Sequence, residues 1–467
     1  MTAIVSPEAR APWSVALRLG RRDVRRYPLR AGLVVVMVAV ATALLTLPAV
    51  MLARALTPGA ELGISGSLHG GGATNVIDPA SLVVLGIAAA LAVMQAVVLI
   101  TPAFLVGVRR RVRELSLLAA GGARPADVRR VVLVPALLSG SAGAVLGAAA
   151  GCAFVVLVVP VASSDELLAA LLAAALAALV GVGVAVGAAW YPAVLAVRLD
   201  PARAIGGSPT PAQTVLTPWW VPASGAVSLV AGTGLAALAV PQQSPVAVVG
   251  GVVLADTGLI ILVAAVLGGL ERVRATGAVA AYVLRDAARH RERVLPAVAA
   301  SLVVVAAVTA AISFQATHHD AQQRMYAGSS FPSDARTQVV LVGAGVVAVL
   351  LVTWVTAALA AQEAQAELET LEVLGAAPGT RRRIVAAQAG LVAVAGTLCG
   401  VPAGLALGVL AVQFQASQVI SGGRPAPPFV VPWTVVLVLA LAVPLVVSGL
   451  AALAVRTEVR LTRHVDR

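Results

Sequence analysis

Apolar and polar positions in this chain alternate in long blocks, without the short periods of an amphipathic strand or a surface helix. Long apolar runs are separated by short segments that carry nearly all the charge. An apolar run of about 18 residues or more can cross a hydrocarbon core of ~30 Å as a helix rising ~1.5 Å per residue. On that criterion ten spans are predicted, at 31–53, 81–108, 131–161, 167–197, 219–240, 246–269, 294–314, 338–360, 384–412 and 432–455. Several exceed the length needed and are expected to tilt, or to continue as helix into water. The fold class is an all-α polytopic membrane protein of about ten transmembrane helices. The first block, Ala31 to Ala53, is too long for the apolar region of a signal peptide and lacks a cleavage site. It is therefore expected to remain as the first span.

Charge sets the orientation. All 33 basic residues are Arg. With the N-terminus inside, the inner segments hold 7 (1–30), 7 (109–130), 2 (198–218), 6 (270–293), 3 (361–383) and 4 (456–467), or 29 of the 33. The outer segments hold Arg54, Arg324, Arg336 and Arg424. Such asymmetry follows the preference of basic residues for the cytoplasmic side. It predicts a multi-pass protein of the cytoplasmic membrane with both termini cytoplasmic. The outer loops, of which 54–80, 315–337 and 413–431 are the largest, are too short to bury a core of their own.

Composition agrees. The chain is 60% hydrophobic and 12% charged, with mean hydropathy +0.96, whereas soluble domains are about half apolar and a quarter charged. The net charge of +12 resides in loop clusters and does not indicate nucleic acid. Cys152 and Cys399 fall inside apolar blocks, so neither a disulfide framework nor a zinc site is indicated.

Two inner segments repeat each other. Arg113-Glu114-Leu115-Ser116-Leu117-Leu118-Ala119-Ala120-Gly121-Gly122-Ala123-Arg124-Pro125 aligns with Ala366-Glu367-Leu368-Glu369-Thr370-Leu371-Glu372-Val373-Leu374-Gly375-Ala376-Ala377-Pro378 at an offset of 253 residues. Glu114 falls on Glu367, Gly122 on Gly375, Pro125 on Pro378, and Arg129 and Arg130 on Arg382 and Arg383. The same offset carries Gly143, Gly147 and Gly151 onto Gly396, Gly400 and Gly404 in the following span. The chain therefore divides into two parallel four-helix repeats joined by a two-helix linker: 1–197, with an N-terminal interfacial helix, then 198–269, then 270–467. Parallel repeats are a known transporter architecture.

These residue types have physical roles. Glycines four apart line one helix face and let a second helix approach closely within lipid. Gly121-Gly122 can end a charged, amphipathic helix that continues the second span, and Pro125 suits the first turn of the next, where Asp127 favours the helix dipole. The expected result is a helix, a sharp turn and a short helix near the membrane surface, followed by the span. Trp13 to Arg30 is amphipathic and predicts an interfacial helix leading into the first span, and Val279 to Arg293 is its counterpart before the seventh.

The pattern of basic residues, Glu, apolar residues, Gly-Ala, a short basic helix and a Gly-x-x-x-Gly span resembles the FtsX/MacB-type ABC transporter permeases. It occurs at Arg113–Gly147 and again at Ala366–Gly400. The resemblance implies that 114–130 and 367–383 are coupling segments docking on a separate ABC ATP-binding subunit, in two copies. Glu114, Gly122, Pro125, Arg129, Arg130, Glu367, Gly375, Pro378, Arg382 and Arg383 would be the coupling residues, and Gly143, Gly147, Gly151, Gly396, Gly400 and Gly404 the packing residues. Two departures stand out. Pro135 and Gln388 occupy a position where the family often has Glu, and the loop at 54–80 replaces a large extracytoplasmic domain.

With no Lys, the chain holds no P-loop, whose Lys contacts the phosphates. It is expected to be a non-catalytic subunit needing no cofactor. Movement of an amphipathic substrate such as a lipid, lipopeptide or hydrophobic antibiotic is the favoured function. A regulatory, mechanotransmitting role is the alternative, and ion-coupled transport would rest on Asp256 alone. His318-His319-Asp320, expected in an outer loop, has no converging acidic or histidine cluster that would make a metal or catalytic site.

Overall fold

The computed structural model describes residues 13–26, 28–57, 86–94, 96–98, 100, 104, 112–158, 163–197, 219–273, 275, 277–325, 335–363, 370, 373–419 and 428–454. Among them 92% are helical and none lies in a strand. The helices are α1 (Trp13–Arg26), α2 (Pro28–Leu56), α3 (Gly86–Val98), α4 (Val112–Ala120), α5 (Pro125–Val158), α6 (Ser164–Val197) and α7 (Trp220–Ala239). There follow α8 (Pro245–Gly269), α9 (Ala278–Arg289), α10 (Arg291–Met325), α11 (Ala335–Glu363), α12 (Pro378–Val419) and α13 (Trp433–Ala454).

Eight of these are long and apolar enough to cross a bilayer: α2, α5, α6, α7, α8, α10, α12 and α13. The second and eighth expected spans coincide with shorter apolar helices, Gly86–Val98 and the Val342–Ala358 part of α11. Large apolar side chains lie exposed along the outside of the bundle, among them Leu157, Leu179, Leu445 and Leu453. Water would not tolerate such continuous surface, and lipid does. The chain is an all-α polytopic membrane protein.

One expectation is corrected. No separate surface helix follows either Gly turn. From Pro125 the helix runs unbroken to Val158, and from Pro378 it runs 42 residues to Val419. The physical reason is that nothing between either turn and its span ends the helix, and the prolines further in are accommodated. Pro135 is absorbed within α5, where the Ser139 hydroxyl donates to the Pro135 carbonyl at 2.7 Å, and Pro402 is absorbed within α12. The arginines that follow each turn are thus the first turns of the span itself.

The two halves share one core. Val34, Val38 and Ala41 of α2 belong to the same buried cluster as Ala300 and Val304 of α10, Val349 and Val352 of α11, and Leu439 and Val443 of α13. The linker hairpin α7–α8 is knitted by glycine. A Cβ on Gly225 would lie 3.1 Å from the Gly258 carbonyl oxygen, and one on Gly251 would lie 2.7 Å from that of Gly232. Through Val248, Val252, Val263 and Leu267, α8 then packs on Leu302 and Val303 of α10, Leu407 of α12, and Ile87 and Leu91 of α3. At the turn between α7 and α8, the Gln243 side-chain amide donates to the Ser417 carbonyl at 3.0 Å. The hairpin is therefore bound to the second half.

Candidate functional site

The two Gly turns have the same backbone. In the first, the Gly121 N–H donates to the Leu117 carbonyl at 2.9 Å and that of Ala123 to Leu118 at 3.1 Å, closing the end of α4. Gly122 sits at φ +87°, the left-handed region that costs a side chain strain, with open space around it. The Asp127 and Val128 N–H groups both donate to the Arg124 carbonyl, at 2.9 and 3.2 Å, and start α5. In the second, Gly375 sits at φ +86°, and the Thr380 and Arg381 N–H groups donate to the Ala377 carbonyl at 2.9 and 3.3 Å. These are the same bonds displaced by 253 residues.

The surroundings of the turns differ. Leu115 and Val128 bury together against Val131, Val132 and Val197, so α4 is folded onto the start of α5 and the end of α6. Glu114 is exposed, and the Arg130 guanidinium donates to Asp127 at 3.1 Å beside a half-buried Arg129. In the second turn Arg381 stands buried where the first has Val128, while Arg382 and Arg383 are exposed. Glu367 lies outside the described residues. Each turn presents apolar side chains outward: Leu117 (55% exposed) and Leu118 (40%) in the first, Val373 (87%) and Leu374 (76%) in the second.

Both glycine ladders face the first span of their own half. A Cβ on Gly143 would lie 2.6 Å from the Val35 oxygen, one on Gly147 would overlap the Ala39 oxygen, and one on Gly151 would lie 2.8 Å from Thr46 Cβ. In the second half, Gly396 meets Ser301, Gly400 would lie 2.7 Å from the Leu302 oxygen, and Gly404 2.5 Å from the Ala306 oxygen. The glycines are 253 residues apart, but their partners, Ala39 and Leu302 for example, are 263 apart. The second half is therefore ten residues shorter between its first and third spans, and its packing register is unchanged. Arg54 shifted by 263 is Thr317. The Arg54 guanidinium donates to Glu166 at 2.8 Å with both side chains buried, and Thr317 Oγ1 accepts from the Val430 N–H at 3.1 Å. Each bond ties the far end of a first span to the chain entering the fourth.

Sequence reasoning missed three things. The glycines of the hairpin, Gly225 and Gly232 against Gly251 and Gly258, are spaced by seven within each helix, unlike the ladders, whose glycines are four apart. The Arg54–Glu166 pair joins residues 112 apart and left no local signal. Asp286 of α9 accepts from the Gln388 side-chain amide at 3.1 Å and pairs with His290 at 2.8 Å. Its signal was an Arg-Asp-x-x-Arg pattern at 22–26 and 285–289, again 263 apart.

His318, His319 and Asp320 lie in the last turns of α10 rather than in a loop. They take separate partners: His318 contacts Gln415 and the Phe314 ring, His319 meets Gln323, and Asp320 pairs with Arg324 at 2.9 Å. Among the described residues no group of three His, Cys, Asp or Glu could hold a metal. Asp256 is buried in α8 and its Oδ2 has no hydrogen-bond partner.

A duplicated turn, a duplicated glycine interface and lipid-facing surfaces together define a polytopic membrane protein with an internal repeat. A family model, FtsX-like permease C-terminal, matches residues 86–201 and again 339–459, starting 253 residues apart. The chain belongs to the FtsX-like permease family. No curated protein and no solved structure matches it. Members of the family are non-catalytic membrane subunits of ABC systems and normally partner with ABC ATP-binding subunits.

Proposed function

We propose that this chain is the permease subunit of an ATP-driven ABC transporter, with hydrolysis in a separate subunit bound in two copies, one beneath each half. The repeats are 1–197 and 270–467, with 198–269 as linker, and both termini lie in the cytoplasm. The coupling residues are Glu114, Gly122, Pro125, Arg129 and Arg130 in the first half and Glu367, Gly375, Pro378, Arg382 and Arg383 in the second.

One observation carries this reading: two turns of identical backbone, 253 residues apart, each fused without a joint to the start of a third span and each exposing apolar side chains beyond the membrane-crossing stretch. Exposed leucines at such a tip match a protein groove better than water. A partner closing on nucleotide would push both tips, and the push would pass along α5 and α12 into the glycine interfaces with α2 and α10. The shared apolar core between the halves and the lipid-facing surfaces favour an amphipathic substrate, such as a lipid, lipopeptide or antibiotic-like molecule, entering from the bilayer.

The test is purification of the tagged chain from its native membranes. An ABC ATP-binding subunit is expected at two copies per chain, and Leu117→Asp with Leu374→Asp is expected to release it while the permease stays monodisperse. Absence of such a subunit, or its retention in the double variant, refutes the assignment. ATPase activity that responds to an outer protein partner and never to amphipathic compounds would replace transport by mechanotransmission.

A further inference from the structure

We infer that α1 carries a binding surface for anionic phospholipid headgroups, formed by Arg18, Arg21, Arg22 and Arg25. All four are exposed. At ~100° per residue they fall on one side of the helix, about 100° to 200° round from Gly20. Gly20 faces the other way: its Cβ would lie 2.5 Å from Val134 and 3.6 Å from Leu138 of α5. Asp23, the acidic residue of the helix, occupies a register position outside the four.

The docking point decides what the arginines face. Val134 and Leu138 lie in the third and fourth turns of α5, whose apolar stretch Pro125–Leu157, at ~50 Å, is longer than a hydrocarbon core of ~30 Å, so that its ends extend into the headgroup layers. The turn at Gly122 projects further out along the same helix axis. A helix held at Val134, with α2 starting two residues after its end, lies at the level of the headgroups, and its charged side points away from the bundle. The matter beside it there is lipid phosphate. Guanidinium groups suit phosphate oxygens through paired N–H donors, and basic residues near a membrane surface favour anionic lipid. The equivalent helix of the second half is a weaker candidate. On α9 two arginines, Arg285 and Arg289, are exposed, and Asp286 between them is bonded to Gln388. The site is therefore one-sided, a property of the first half. It goes beyond the transport proposal and does not depend on it.

The test uses the full chain in nanodiscs of phosphatidylcholine containing a trace of spin-labelled phosphatidylglycerol or spin-labelled phosphatidylcholine. The motionally restricted fraction of the anionic label is expected to exceed that of the neutral label about threefold at low salt, and to lose that excess at high salt. Replacing the four arginines by Gln should remove most of the excess, and replacing all four by Lys should keep it. Thermal unfolding of both variants, compared with wild type, separates loss of binding from loss of fold. Equal restriction of the two labels in the wild type overturns the proposal, as does an undiminished excess in a folded Gln variant. Selective loss of a co-purifying acidic protein in the Gln variant, with lipid restriction unchanged, would assign the surface to protein instead.

Discussion

Glycine has two different uses in these helices, and substitution separates them. Gly147 and Gly400 lie against backbone of the neighbouring span, so leucine there must push two helices apart. Overpacking of this kind costs about 1–3 kcal/mol or more. Gly147→Leu and Gly400→Leu are expected to lower the unfolding temperature in detergent and the yield of monodisperse protein. Gly183→Leu should do neither, because no atom stands within 4 Å of a Cβ at that position. Gly122 and Gly375 are constrained by backbone angle alone. A β-branched residue at either should cost ~1–2 kcal/mol of local strain. Gly122→Val is therefore expected to lower ATPase-subunit binding in a pull-down while leaving the unfolding temperature of the bundle nearly unchanged.

Among the elements, the join between α2 and α6 offers the sharpest test. Removing one member of a buried ion pair costs ~3–5 kcal/mol, whereas replacing both by apolar residues is often neutral. Arg54→Met is expected to destabilise the first half strongly, and Arg54→Met with Glu166→Leu to recover most of the loss. Equal unfolding temperatures for the single and double variants would show that the pair does not act as one. This element also shows what a chain discloses before it is folded. The turns at Gly122 and Gly375 were legible because a left-handed backbone needs glycine and the next helix accepts proline at its start. The ladders were legible because lipid-embedded helices touch closely where Cβ is missing. The partner of Arg54 was not, since nothing local selects Glu166 among distant acids. The surface helices expected after the turns failed for the opposite reason. Arginines in the first turns leave the backbone hydrogen bonds intact, so the helix runs straight through them into the span.

For the whole molecule, orientation is the property on which the coupling proposal turns. With Cys152 and Cys399 replaced by Ala, a single cysteine at Ala120 or Ala377 is expected to react with an impermeant maleimide only in inverted vesicles. One at Gln242, in the exposed turn between α7 and α8, should react in intact cells. The opposite result would place the Gly turns outside and remove them from any cytoplasmic motor. The bundle itself is asymmetric despite its repeat. The linker hairpin packs chiefly on the second half, Thr317 takes the place of Arg54, and Arg381 that of Val128.

The helix from Pro378 to Val419 spans roughly 60 Å at its full 42 residues, twice the hydrocarbon thickness, and remains one helix through Pro402. Under the coupling proposal, such a rod would pivot as a seesaw on the contacts that Gly396, Gly400 and Gly404 make with α10. A tilt of about 10° about its middle would swing each tip by ~5 Å in opposite directions. Work done on the arginine-bearing tip would reach the far face of the bilayer as sideways travel, without any segment having to unfold on the way.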